Sequence, residues 1–321
     1  MLYQHFATQE EIDRAYDPMM GRDPAVLVKD WRERSEASRV NHRTTLDLPY
    51  GPTLAERMDI FHADAPDTDS PKAPVHVFFH GGYWRSLSHR EFSFIVDGLV
   101  NAGITVAVVN YALCPKVRFS ELVRQSQAAV AYVYRHAAEL GVDPEQLSIS
   151  GHSAGGHLCA MLMSTDWEGA FGLPNQLIRG ALCISGLYDL RPFPWSWLQP
   201  KLQLSGRDVQ EFSPIWLPCR VPAPIKLVAG GLESEEFERQ MSSYAEHLSQ
   251  QGQTVTQQLL SDVDHFSILE HYLNPSLGAT FAIHGERPPL QAIPFLCLVL
   301  SLNKQFYTAG ITAVASISTL A

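Results

Sequence analysis

The sequence predicts an α/β fold: a mostly parallel sheet with helices on both faces. Two observations carry this expectation. Short β-branched runs alternate with amphipathic stretches from about residue 75 to residue 260, the signature of strands buried on both sides. Gly151-His152-Ser153-Ala154-Gly155 lies where one of these runs passes into a helical stretch, so the chain makes a sharp strand-to-helix turn there.

Residues 9–42 read as a charged, amphipathic helical lead-in, broken by prolines and a glycine between Asp17 and Pro24. Residues 43–49 and 54–61 form a hairpin around Gly51-Pro52, and the Asp- and Pro-rich stretch Ala63–Pro74 is a surface loop. Val75–Phe79 is then a first buried strand, 89–102 a helix, and Ile104–Tyr111 a second strand. The stretch 119–140 reads as one long helix closed by Gly141, and Leu147–Ser150 as a third strand. A helix over 154–164, strands over Gly180–Ser185 and Ile225–Ala229, a helix over 235–250 and a strand over 254–260 complete the alternation.

Two stretches do not fit it. Residues 187–224 hold seven prolines together with Trp195, Trp197 and Trp216; that is too long for a plain connection, and a short cap-like insertion is expected. From Pro288 to Ala321 the only charge is Lys304, which sets 286–321 apart as an atypical apolar tail. Its apolar run Phe295–Leu302 is far below the ~20 residues a bilayer span needs. The expected division is a lead-in over 1–42, a catalytic domain over 43–285 and the tail.

Composition removes several classes of function. The chain has 321 residues, with 24 Lys and Arg against 34 Asp and Glu, a net charge of −10. An acidic surface repels phosphate backbones and anionic lipid, so neither nucleic acid nor membrane is an expected partner. The five cysteines are scattered, without a Cys-x-x-Cys pair, which excludes a disulfide framework or zinc ribbon and fits a reducing, cytoplasmic setting. No apolar leader is visible in the first twenty residues. Neither a metal-binding nor a nucleotide-binding motif is present, and no metal or cofactor is expected.

The chemistry concentrates in four places. A serine hydroxyl is a weak nucleophile and must be held exposed beside a base. The turn at Ser153 does this, with Gly151 and Gly155 leaving room two places on either side; the plainer alternative is a glycine-rich turn without chemistry. Directly after the first core strand comes His80-Gly81-Gly82-Tyr83-Trp84. Its glycines let main-chain N–H groups approach developing negative charge, where each donor is worth about 3–4 kcal/mol. Gly81, Gly82 and Ala154 are therefore the candidate oxyanion donors, and His80 is expected to orient the loop.

Thirteen histidines compete for the role of base, and chain order selects among them. In folds with this turn the order is Ser, acid, His, with the histidine after the last strand. His265, in Asp262-Val263-Asp264-His265-Phe266, holds that place. The acid should follow strand Ile225–Ala229, where Glu233 lies in the loop, whereas Glu235 and Glu236 suit the first helical turn beyond. Asp262 and Asp264 are outside candidates on the wrong loop.

With these positions placed, the chain resembles the arylformamidase (kynurenine formamidase-like) group of α/β-hydrolases. The shared runs are His80–Trp84, Gly151–Leu158, Ser185–Leu190, Gly230–Gln240 and Asp262–Phe266, with Arg14–Pro18 in the lead-in. The resemblance covers about residues 9–285. Glu233 stands where that group usually has an aspartate, and the stretch Trp195–Pro200 and the tail depart from it. The resemblance implies an α/β-hydrolase fold and a cofactor-free serine hydrolase of tryptophan catabolism, acting on a small ester or an aryl formamide such as N-formylkynurenine through an acyl-enzyme. Tyr83, Trp84, Trp195, Trp197 and Phe266 are expected to line an aromatic substrate pocket, and a homodimer is a candidate assembly. The alternatives are a short-chain carboxylesterase of the hormone-sensitive-lipase-like type and a non-catalytic binding module on the same fold.

Overall fold

The computed structural model describes residues 1–19, 21–63 and 72–273. Most of the expected surface loop over Ala63–Pro74 and the whole tail, with Cys297, lie outside the described residues. The lead-in forms α1 (Gln9–Ala15) and α2 (Pro24–Asn41). Thr8 and Glu11 cap the first reciprocally; Asp23 caps the second ahead of a proline at its start. The hairpin is β1 (Thr44–Pro49) and β2 (Arg57–Phe61), and the first core strand is β3 (Ala73–Phe79).

The expected helix over 89–102 is instead two 3-10 turns, His89–Glu91 and Ser93–Ile95, followed by the short α3 (Val96–Asn101). Ser88 and Glu91 cap the first turn on itself, so a tight turn starts where a long helix was expected. Then come β4 (Thr105–Val109), α4 (Phe119–Arg135), α5 (Ala137–Leu140), β5 (Val142–His152) and α6 (Ala154–Met163). His136, whose ring bonds the Tyr132 carbonyl at 2.9 Å, breaks the expected single helix between α4 and α5. Strand β5 starts earlier than expected because Val142 pairs with Ala73 ahead of the main register. Helix α7 (Trp167–Phe171) was not expected, although Asp166 at its start and Gly172 at its end carry the capping signals.

The chain continues with β6 (Ala181–Ile184), α8 (Gln199–Leu202), α9 (Gly206–Glu211), β7 (Ile225–Gly230), α10 (Glu235–Gln250), β8 (Val255–Leu260) and a 3-10 helix over Ser267–Leu273. Among the described residues the strands form one sheet in the order β1-β2-β4-β3-β5-β6-β7-β8, parallel from β4 onward, with an antiparallel β1-β2 edge. The fold is that of an α/β-hydrolase.

Alternation along the strands dictates the two layers. Val75, Val77 and Phe79 of β3, with Ala107 and Val109 of β4, face a core closed by α1, α4, α6 and α10. Phe78 of β3, Val106 and Val108 of β4, and Leu182 and Ile184 of β6 face the other side. There they meet Trp31 of α2, α3, and Ile268, Leu269 and Tyr272. The sheet order reverses around β3, so the crevice for a ligand lies beyond the carboxyl ends of β3 and β5.

Candidate active site

Four loops leave the carboxyl ends of β3, β5, β7 and β8 and meet in one place. At the end of β5, Ser153 has φ 57° and ψ −118°, a backbone conformation that costs a non-glycine residue on the order of 1–3 kcal/mol. Two features hold it there. The Ser153 N–H donates to the Ile184 carbonyl at 2.7 Å, and Gly155 runs against β3 so closely that a Cβ would lie 1.9 Å from the Phe79 carbonyl oxygen. Any side chain at 155 would push α6 away and open the turn.

After β3 the chain coils tightly through Gly82 (φ 111°), Tyr83 (φ 50°) and Trp84 (φ 55°). A Cβ on Gly82 would sit 2.2 Å from the Ser86 carbonyl oxygen, so the loop closes only around glycine. His80 anchors its base: the ring is buried, stacks on Tyr111 at 4.3 Å and donates from Nδ1 to the Gly81 carbonyl at 2.7 Å. Burial lowers its pKa to about 4, so the ring is neutral at pH 7.

The histidine and acid loops converge from the other side. His265 Nδ1 lies 2.6 Å from Glu233 Oε2, and both side chains are buried, at 3% and 1% exposure. The other carboxylate oxygen of Glu233 accepts from Ser185 Oγ at 2.6 Å and from the Gly230 N–H at 2.6 Å. Since a carboxylate only accepts, the Nδ1 of His265 carries a proton and points it at Glu233. Two of the rival carboxylates are engaged elsewhere, and Glu235 and Asp262 are exposed. Asp264 accepts from the N–H groups of Phe266 and Ser267 and pairs with Arg22, shaping the histidine loop. Glu236 is held by Arg239 and the Tyr16 hydroxyl.

A cavity of about 390 Å³ opens onto this cluster and is lined by Gly81, Gly82, Ser153 and His265. Of the expected aromatics, Tyr83, Trp197 and Phe266 line it. Trp84 and Trp195 do not, which corrects the sequence expectation. Trp84 is fully buried, its Nε1 donating to His157 Nδ1 at 3.2 Å and its ring 5.1 Å from Phe119. Trp195 is 49% exposed; the 3-10 turn Phe193–Trp195 sends Phe193 into the core and Trp195 outward. Within the expected cap, 187–224, Trp197 alone reaches the cavity among the described residues; Phe193, Leu198, Leu202 and Val209 pack into the core instead.

The lead-in supplies wall that sequence reasoning missed. Asp17, Pro18 and Met19 follow α1, and Leu27, Val28 and Trp31 belong to α2; all line the cavity. The Arg14–Pro18 run in the lead-in was the available signal. Most of the lining is apolar, and its two fixed charges are Asp17 and Arg85, the latter stacked 4.5 Å over the Trp197 ring. Ser185, which carries the acid's second oxygen, was also missed as a functional residue, although it opens the Ser185–Leu190 run.

Comparison with known proteins agrees with this architecture. The BD-FAE family model matches residues 58–173. The kynurenine formamidase of Danio rerio is 31% identical over 266 residues, covering 81% of this chain and 88% of the fish protein. That of Salmo salar is 30% identical, covering 83% and 92%. A crystal structure from Silicibacter sp. TM1040, provisionally described as a thioesterase, superposes with a TM-score of 0.73 at 28% identity, covering 84% of this chain and 98% of that one. The carboxylesterase EstE1 from a metagenomic library shares the fold at a TM-score of 0.63 and 19% identity, with coverages of 84% and 99%.

Proposed function

Since the chain belongs to the kynurenine formamidase family of α/β-hydrolases, we propose that it is a serine hydrolase that cleaves an aryl formamide of the N-formylkynurenine type through a formyl-enzyme. The observation that carries the proposal is the buried 2.6 Å Glu233–His265 contact beside a cavity that Ser153 also lines. With Nδ1–H given to Glu233, the free lone pair of His265 Nε2 takes the proton from Ser153 Oγ as the oxygen attacks the carbonyl carbon. The tetrahedral oxyanion is received by N–H groups of Gly81, Gly82 and Ala154. Collapse expels the amine, which takes its proton from His265, and water then releases formate by the same steps in reverse.

The charges on the wall favour a formylkynurenine-type substrate over a plain ester. Such a substrate carries an aryl ring and an amino-acid group. The ring suits Trp31, Trp197 and Phe266, while Asp17 and Arg85 offer opposite charges to the ammonium and carboxylate. The second reading, a short-chain carboxylesterase, draws on the largely apolar lining and on esterase relatives such as LipQ of Mycobacterium tuberculosis, 30% identical over 153 residues. The free thiols of Cys114, Cys159, Cys183 and Cys219 go with a reducing, cytoplasmic setting.

Turnover of N-formylkynurenine and of p-nitrophenyl acetate separates the readings. Ser153→Ala should abolish both, with losses on the order of 10⁴–10⁶ in kcat. It should also abolish labelling by a fluorophosphonate; a variant retaining a tenth of the activity would remove Ser153 from the mechanism. Arg85→Ala should raise KM for N-formylkynurenine about tenfold or more and leave the acetate nearly unchanged. Equal effects on both substrates would favour the esterase reading, and a wild-type chain that turns over neither substrate and takes no label would favour a binding module.

A further inference from the structure

The residue before Ser153 is a second histidine at the centre of the cluster, and the mechanism above leaves it unused. His152 is 2% exposed and lines the cavity. Its Nε2 lies 2.7 Å from the main-chain carbonyl oxygen of His265, and the two rings are 4.6 Å apart. A carbonyl only accepts, so Nε2 carries the proton. Nδ1 is buried without a hydrogen-bond partner and faces the Gly81 backbone, where a Cβ would come within 3.0 Å of it. No acceptor meets Nδ1, so a second proton there would have nothing to bind. Burial, and after it the neighbouring His265, hold the pKa of His152 well below the ordinary histidine value. The ring is thus placed to donate from Nε2 alone, and it touches the serine turn, the glycine loop and the histidine loop together.

We propose that His152 is a positioning residue: its Nε2–H fixes the main chain of His265 relative to Ser153. This rests on Ser153 and His265 acting as nucleophile and base. The histidine loop leaves the sheet three strands away from β5, the strand that ends at the serine turn, at the edge strand β8. Its register against the serine is set by few contacts, and misplacement by about 1 Å can cost 10²-fold in rate. Glu233 holds the imidazole from Nδ1, and His152 holds the backbone that carries it.

The test compares four variants of the full chain. His152→Phe keeps a ring and loses the donor. His152→Gln places an amide N–H near the position of Nε2, and His152→Asn places one near Nδ1, out of reach of the His265 carbonyl. Ser153→Ala is the control for the underlying mechanism. His152→Phe and His152→Asn should lower kcat by about 10- to 100-fold with KM little changed. They should slow fluorophosphonate labelling of Ser153 in proportion and displace the acid limb of the kcat/KM profile. His152→Gln should recover most of the rate and the wild-type limb. A purely structural role would lower the melting temperature while leaving kcat per labelled serine and the pH profile alone. Wild-type kcat in His152→Phe overturns the proposal, as does a His152→Gln variant no faster than His152→Asn. The second comparison decides if the Phe variant does not fold. An active Ser153→Ala would instead overturn the nucleophile assignment, whatever the His152 variants do.

Discussion

Glu233 shows how much one side chain depends on the groups around it. One carboxylate oxygen faces His265 Nδ1, and the other is saturated by Ser185 Oγ and the Gly230 N–H. This arrangement aims a glutamate, one methylene longer than the usual aspartate, at the imidazole without leaving a buried oxygen unpaired. It predicts a graded series. His265→Ala should be the most damaging, because proton transfer from Ser153 is lost. Glu233→Gln should follow, since a neutral amide neither holds the required tautomer firmly nor stabilises the imidazolium. Ser185→Ala removes one of three hydrogen bonds to a carboxylate that keeps its charge, a loss of about 1 kcal/mol or roughly fivefold in kcat/KM. Steady-state rates on one substrate test the order. A Ser185→Ala variant slower than Glu233→Gln would show that the acid is positioned by something else.

At the scale of elements, the lead-in does more than begin the chain. Helix α2 lays Trp31 against Phe92, Phe94 and Phe266, with ring centroids 5.1, 5.9 and 5.8 Å away. The same ring forms part of the cavity wall. Its contact with Phe266, the residue after His265, ties the lead-in to the histidine loop. Arg34 of α2 adds a two-pronged pair with Glu270 on the 3-10 helix that follows that loop. We therefore expect residues 1–42 to belong functionally with the catalytic domain. Truncating Trp31 leaves a hole that its neighbours only partly fill, and substitutions of this kind cost about 3–5 kcal/mol. Trp31→Ala should lower the urea midpoint accordingly and raise KM, because a wall of the cavity is gone. A variant with unchanged midpoint and KM would reduce α2 to a surface appendage.

Over the whole molecule, the buried histidines set the response to acid. Burial holds His76 at about 3 and His80 and His157 at about 4, and lowers His152 well below its usual range. An unfolded histidine titrates near about 6.5. Between these values the unfolded chain takes up protons that the native chain refuses, so stability is present above about pH 6.5 and is lost as pH falls toward the folded values. Each such group contributes a slope of up to about 1.4 kcal/mol per pH unit in that window. Urea midpoints should thus fall clearly between pH 7 and pH 5, before most carboxylates begin to titrate. A midpoint unchanged at pH 5 would mean that these rings are protonated, or reach water, in the native state. No helix among the described residues is long and apolar enough to cross a membrane.

What was legible in the sequence is what short-range rules control. The near-continuous apolar runs Val75–Phe79 and Thr105–Val109 make both faces of the sheet apolar, and that alone implies two covering layers of helices. Glycines at 151 and 155 mark a turn that other residues would block, and chain order then singles out His265 and Glu233 among many histidines and acids. What only the tertiary structure decided is where side chains of irregular segments point. Nothing local distinguishes Trp84 from Tyr83, neighbours in one tightly coiled loop, yet the first is core and the second lines the cavity. Nothing local shows that Trp31, far from Ser153 along the chain, lines the cavity, or that Ser185 Oγ meets Glu233 and His152 Nε2 meets the His265 carbonyl. Along a regular strand or helix the backbone repeat fixes side-chain direction. In loops it is set by whichever distant surface the side chain packs against, which exists only once the chain has folded.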